Sequence, residues 1–451
     1  MGCLKIIETV LQKFYNLLVV LPLTFAILTT GILLTLRLQF LQLRHFFLAL
    51  RSTLGSLFTT KEKPAAGEIT PFQALSTALA ATVGTGNIAG VATAIFLGGP
   101  GAVFWIWVSA FFGMATKYSE ILLAVHYRTK AGDEIVGGPM YYLARGLKKP
   151  FLAALYAVFG ALAAFGIGNM VQANSVADAV HAAFAVPPAV TGLLLAFFSA
   201  LIILGGIQRI ARVASALVPL MAFFYVAGGL AILIVFRQQI PAALAGIFAA
   251  AFQGRAAAGG FAGATIIGAW RYGIARGIFT NEAGLGSASI AHATARTPHP
   301  VNQGLWGIME VFIDTHLICT LTALVLLTTG AWQTGLEGAA MAVEAFSRGL
   351  PGNLGQYMVS LGLVLFAFST LLSWAYYGEK CLEYLLGGGA VRLYRLLWIL
   401  FIFIGAVSHL RVVWTFADIL NGLMAFPNLV GLLGLSGMVY KITKDFFNRQ
   451  P

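Results

Sequence analysis

Residues 81–101 read ATVGTGNIAGVATAIFLGGPG, an apolar stretch of membrane-spanning character with Gly84, Gly86 and Gly90 at its middle. Glycine at mid-helix weakens the helix and lets another backbone or a ligand come close. A second stretch of this kind, FTNEAGLGSASIAH at 279–292, carries Asn281, Glu282, Gly284 and Gly286 at mid-span. Unwound backbone or a carboxylate facing lipid would cost several kcal/mol, so both stretches must face protein or a water-filled cavity. Small-xxx-small glycines such as Gly86 and Gly90 also serve ordinary helix packing. Two interrupted helices at equivalent positions, one carrying Asn-Glu, favour a site.

The surrounding chain is 59% hydrophobic and only 10% charged, against about 25% charged in soluble domains. Apolar stretches near the ~20 residues that cross ~30 Å of hydrocarbon recur throughout. Eleven spans are expected near 15–37, 74–97, 101–125, 151–182, 188–206, 212–236, 263–292, 304–330, 354–386, 393–409 and 412–440. The first has no charge before Arg37 and no small-x-small site after it, so it reads as a retained helix rather than a signal peptide. Cys3, Cys319 and Cys381 have no spacing that supports a disulfide framework or a zinc site. The net charge of +12 sits in short loops, which fits topology better than nucleic-acid binding. Alternate loops hold nineteen and six Lys and Arg. That asymmetry puts the amino terminus outside, the carboxyl terminus in the cytoplasm, and requires an odd number of spans. Residues 37–58 and 139–149 mix basic with aromatic or aliphatic residues and read as interfacial helices.

The two interrupted spans lie five spans apart, so units of five helices starting with each would enter from opposite sides of the membrane. Paired broken helices in inverted repeats mark the binding site of a secondary transporter. Half-helix amino termini offer free N–H groups and positive dipole to a carboxylate, and freed carbonyls take an ammonium or a small cation. A zwitterionic amino acid with Na+ satisfies both.

Several segments resemble the alanine or glycine:cation symporters (the sodium:alanine symporter family): GGPGAVFWIWVSAFFG at Gly98–Gly113, with Ile106 where Met is expected, GTGNIAGV at Gly84–Val91, GGPMYYL at Gly137–Leu143, GIARGIFTNEAGLGSA at Gly273–Ala288 and FSTLLSWAYYGEK at Phe368–Lys380. The resemblance covers nearly the whole chain. It implies an all-α polytopic membrane protein with a leucine-transporter-type inverted five-plus-five helix repeat preceded by one extra helix. The organisation would be 1–73 for the extra helix and amphipathic segment, 74–236 and 263–440 for the two repeats, 237–262 for an extracellular connector, and 441–451 for a cytoplasmic tail.

By the same resemblance, Thr85 and Gly86 would meet the substrate carboxylate, with Gln172 and Asn281 as polar neighbours. Phe279 and Trp374 would close the side-chain pocket. Ala80, Val83 and Phe366 would offer carbonyls, and Ser369 and Thr370 hydroxyls, to Na+, a cation that hard oxygen ligands suit. A Ser-Thr pair can equally bond back to its own helix. The implied function is Na+-driven uptake of alanine or glycine across a prokaryotic cytoplasmic membrane, with Na+ as coupling ion and no cofactor. One alternative is a sodium- or proton-coupled carrier of a larger neutral amino acid such as glutamine, with Glu282 as proton carrier. An intramembrane enzyme finds no HExxH or GxSxG, and a channel finds no filter-like segment. Glu120, Asp178, Arg271, Arg276, Glu310 and Asp314 lie in or near spans, with Arg276 and either Glu310 or Asp314 a candidate gate.

Overall fold

The computed structural model describes residues 21–58, 67–132, 134–252, 266–408 and 411–449; Cys3 and residues 15–20 of the first expected span lie outside them. The chain is almost wholly helical. Helices α1 (Leu21–Arg37) and α2 (Phe46–Phe58) precede α3 (Pro71–Thr82). A capping box starts α3. Thr70 Oγ1 accepts from the Gln73 amide at 3.1 Å, Gln73 Oε1 accepts from the Thr70 amide at 3.0 Å, and Pro71 occupies the first turn, where its missing N–H costs nothing. At Val83–Thr85 the chain breaks, and α4 (Gly86–Gly98) continues at a 54° angle.

Next come α5 (Gly101–His126), a hairpin of β1 (Thr129–Ala131) and β2 (Glu134–Val136), α6 (Pro150–Phe184), α7 (Pro188–Ile203), α8 (Gly206–Val235) and α9 (Ile240–Phe252). The second broken pair is α10 (Ile266–Asn281) and α11 (Ser287–His292). Between them Glu282, Gly284 and Gly286 take φ of 54°, 100° and 77°. Glycine adopts such angles freely, whereas Glu282 needs its neighbours to hold it there. The chain closes with α12 (Pro300–Thr328), α13 (Gly338–Gly349), α14 (Leu354–Leu386), α15 (Val391–Val407) and α16 (Arg411–Asn448).

Among the described residues, seven helices are long and apolar enough to cross a membrane, or eight with the bent pair α3–α4 taken as one span; α1 and α7 are shorter apolar helices. This is a multi-pass membrane protein. Outward rings such as Phe197, Phe198, Phe223 and Phe224 are exposed, as lipid contact requires. Helix α5 is central, with most of its residues buried. It packs on α10 where Gly273 and Gly277 stand: a Cβ at Gly273 would lie 2.4 Å from Ala102 O, and one at Gly277 1.9 Å from Ser109 Oγ.

The interfacial reading of 139–149 is corrected for its first half. Met140, Tyr142 and Leu143 are fully buried, and the Tyr142 hydroxyl bonds Asn428 of α16, so this turn is wedged into the bundle. The segment expected as a connector holds α9, which packs on α5. At the end of α3 remote from the break, the chain is tied to the end of α11: the Glu68 amide donates to Thr294 O and the Arg296 amide to Ile69 O, both at 2.8 Å. Arg128 donates to Ala293 O and Ala295 O at 3.0 and 2.8 Å. Lys380 of α14 holds Glu134 of the hairpin and, at 2.6 Å, Glu383.

Candidate substrate and cation site

The two breaks face each other across a cavity of about 30 Å³ lined by Ala81, Thr82, Gly84, Thr85, Gly86, Ile167, Gln172, Phe279, Thr280, Glu282, Thr370, Trp374 and Asn421. A wider space of about 490 Å³ adjoins it and shares Thr85, Gly86 and Phe279. The Phe279 ring therefore stands between vestibule and inner cavity, with the Arg276 guanidinium 5.1 Å from its centroid.

On one wall the opening amides of α4 lack a preceding turn to supply acceptors. Gly84 N–H is already taken by Asn87 Oδ1 at 2.9 Å, which leaves the Thr85 and Gly86 positions to face a ligand. Opposite, Gln172 donates through Nε2 to Ile167 O at 3.0 Å, while its Oε1 is buried without a partner. Asn421 Oδ1 of α16 is likewise buried and unpartnered. Such orphaned acceptors are costly, and two at one cavity call for a ligand donor. Trp374 is 2% exposed and forms the floor. Gly168 makes room for it, since a Cβ there would lie 2.3 Å from Trp374 Cβ. Its indole Nε1 donates to Glu282 Oε1 at 3.1 Å.

Thus Thr85, Gly86, Gln172, Phe279 and Trp374 come together, as do Thr280, Glu282 and Asn421, which the sequence reading did not assign to the substrate. Asn281 does not line the cavity. Its Oδ1 accepts from the Ala283 amide at 3.0 Å, its Nδ2 reaches Thr315 Oγ1 at 3.4 Å, and its side chain lies against Gly113.

Beside the first break a cluster of oxygens converges. Ser369 Oγ lies 3.2 Å from Ala80 O and 2.8 Å from Phe366 O. Thr370 Oγ1 lies 3.0 Å from both of those carbonyls and 3.4 Å from Ala81 O. All are buried, and all are neutral hard donors. Val83, buried at the end of α3, gives its N–H to Leu79 O; Ala81 O joins Ala80 O and Phe366 O around the Thr370 hydroxyl.

Charged groups behind the breaks pair differently from the gate expected of Arg276. Glu310 sits 3.1 Å from Lys117 Nζ and 3.1 Å from His292 Nε2, with Gln303 on the other ring nitrogen at 2.7 Å. Asp314 accepts from Asn87 and Thr315, each at 2.8 Å. Arg276 lines the vestibule instead. Lys117 went unassigned in the sequence, although a lone lysine in a 26-residue apolar helix was itself a signal.

A helical membrane bundle whose two broken helices enclose a polar cavity, with a hydroxyl–carbonyl cluster at one break, is built as a solute transporter. The chain belongs to the sodium:alanine symporter family, whose profile matches residues 4–451. It is 50% identical over 429 residues to the sodium/alanine symporter of Methanococcus maripaludis, covering 93% of each chain. It is 39% identical over 435 residues to a probable sodium/glutamine symporter of Bacillus subtilis, covering 96% of this chain and 88% of that one. In fold it resembles the manganese transporter of Eremococcus coleocola, with TM-score 0.55 and 15% identity over 84% of this chain and 81% of the other.

Proposed function

We propose that the protein couples Na+ entry to uptake of alanine or glycine by alternating access. The observation that carries this is the small cavity between the breaks. Helix-start amides lie on one side, the orphaned acceptors of Gln172 and Asn421 on another, and Trp374 closes the floor. A carboxylate suits the first, an ammonium the second, and a hydrogen or methyl side chain the space that remains. The hydroxyl–carbonyl cluster formed by Ala80, Ala81, Phe366, Ser369 and Thr370 would hold Na+ where it touches α3 and α14 together. Glutamine, the alternative, would require the Trp374–Phe279 wall to open.

In this reading the helices form a leucine-transporter-type five-plus-five repeat of α3–α8 and α10–α16 after one extra helix, about eleven spans in all, with residues 74–236 and 263–440 as the repeats. The vestibule faces outward, and the ties between Glu68–Ile69, Thr294–Arg296 and Lys380–Glu134 close the cytoplasmic end. The protein sits in the cytoplasmic membrane with its amino terminus outside. Labelled alanine uptake by proteoliposomes, with Na+ and proton gradients imposed separately, tests this. Uptake should follow the Na+ gradient; undiminished uptake with choline in place of Na+ at constant pH would overturn the coupling.

A further inference from the structure

Glu282 sits at the turning point of the second break, buried and in the left-handed region, φ 54°. A non-glycine residue persists there only when its surroundings hold it, and those surroundings are unusually explicit. From α5, the fully buried Glu120 presents Oε1 to the amides of Gly284 and Gly286 at 2.9 and 3.0 Å. Asn428 of α16 completes the clamp, donating to Glu120 Oε1 at 2.7 Å and to Gly284 O at 2.8 Å. The Tyr156 hydroxyl donates to Leu285 O at 3.1 Å. With the segment pinned from outside, the Glu282 carboxylate points inward. Its Oε2 accepts from Ser287 Oγ at 2.5 Å, and its Oε1 accepts from the Trp374 indole at 3.1 Å. The indole belongs to the cavity floor, and Glu282 lines the same cavity.

We propose that Glu282 is a positioning residue for substrate selection: carried on the segment that Glu120 clamps, it fixes the Trp374 ring and thereby the size of side chain the site admits. The physical reason is rotameric. A buried indole has few staggered orientations, and a buried N–H···O bond at one edge, costly to leave unmade, selects among them. Gly168 also lies against the Cβ, Cγ and Cδ2 of Trp374 and Tyr377 packs edge-on to the ring at 5.7 Å; these contacts bound the ring, and the bond to Glu282 fixes its Nε1 edge. Glu282 therefore acts on selectivity through Trp374, and needs no contact with the transported molecule.

The inference rests on the proposed substrate site, and the test separates the two. Purified transporter in proteoliposomes is assayed for labelled alanine uptake with unlabelled alanine, 2-aminobutyrate and leucine as competitors, at matched protein amount. Wild type should rank alanine first; if it takes up no alanine or shows no size ranking, the substrate reading itself fails. Given that ranking, Glu282→Ala should narrow the alanine-to-leucine preference about tenfold, the lower end of what overpacking exacts. Glu282→Gln, whose amide oxygen still accepts the indole N–H, should restore most of it. Trp374→Phe keeps most of the ring and loses the N–H, so it should narrow the preference even where Glu282→Ala folds poorly. Adding Glu282→Ala to Trp374→Leu should narrow it no further, because the cycle closes on one interaction. A wild-type preference in Glu282→Ala or in Trp374→Phe would overturn the proposal. So would additivity of the double variant, or loss of ranking in Glu282→Gln equal to that in Glu282→Ala.

Discussion

Thr370→Ala tests the cation site, because the hydroxyl it removes has two competing explanations. Thr370 Oγ1 is 3.0 Å from Phe366 O, one turn back on its own helix, and 3.0 Å from Ala80 O on the neighbouring α3. If the first contact is its purpose, the hydroxyl merely bonds back to α14, and alanine, a better helix former, is nearly neutral. If the second is, Thr370 Oγ1 is one of a handful of neutral oxygens around Na+. A hydrogen-bond-type contact to a charged partner contributes about 1.5–3 kcal/mol. At about 1.4 kcal/mol per decade, its loss raises the half-saturating Na+ concentration about tenfold or more. Thr370→Ser keeps the oxygen and should stay close to wild type. The assay is alanine uptake by proteoliposomes against external Na+, with choline holding ionic strength constant. An unchanged half-saturating Na+ in Thr370→Ala, at equal protein amount and with uptake intact, would refute the cation role of the cluster.

Gln172→Leu removes a buried acceptor without changing bulk much; it should raise the alanine KM about tenfold, the scale of one lost charge-assisted bond, while half-saturating Na+ stays put. Lys117→Met leaves the buried Glu310 with only the His292 ring against it and should cost up to about 3–5 kcal/mol, read as a lower Tm in detergent; Lys117→Met with Glu310→Gln should recover much of the loss. Glu120→Ala strips an acceptor from two buried amides at the second break, and Asp314→Ala removes the acceptor that holds Asn87 at the first. Each should lower Tm by the equivalent of about 1–3 kcal/mol, with Glu120→Gln and Asp314→Asn closer to wild type.

What could be read ahead of the structure was whatever the chain encodes locally. Glycines at 84, 86, 284 and 286 mark the two breaks because backbone freedom is a property of single residues, and helix occurs in each stretch expected to span, within the described residues. Side-chain direction is not local. Asn281 sits beside Glu282 in sequence, yet Gly113 and Thr315 draw it behind the break, while Glu282 turns into the cavity. Asn421 enters the site only because α16 lies beside Ala164–Met170 of α6, which no spacing along the chain announces. The turn at 139–143 looked interfacial because its aromatic residues resemble a membrane belt, whereas its hydroxyl partner lies 286 residues away in sequence.

The buried acids illustrate the same division and carry it further. In isolation Glu120 and Asp314 are simply ionisable groups in apolar helices. In the fold, each attends the break of the other broken helix. Glu120 is on α5, which follows the first broken pair, and it caps amides of the second. Asp314 is on α12, which follows the second pair, and through Asn87 it supports Gly84 N–H at the first. Unwound backbone inside a membrane protein must find partners within the protein, and a half-helix start finds them best in an acid. Two breaks produced by repetition would inherit the same need at the same place, and reciprocal supply from the succeeding helix is the arrangement a swap-related pair of repeats would give. The exchange of acids across the two breaks is what the proposed five-plus-five repeat would give, and it explains why Glu120 is tied to backbone amides and Asp314 to the Asn87 side chain that serves one rather than left to the transported ion.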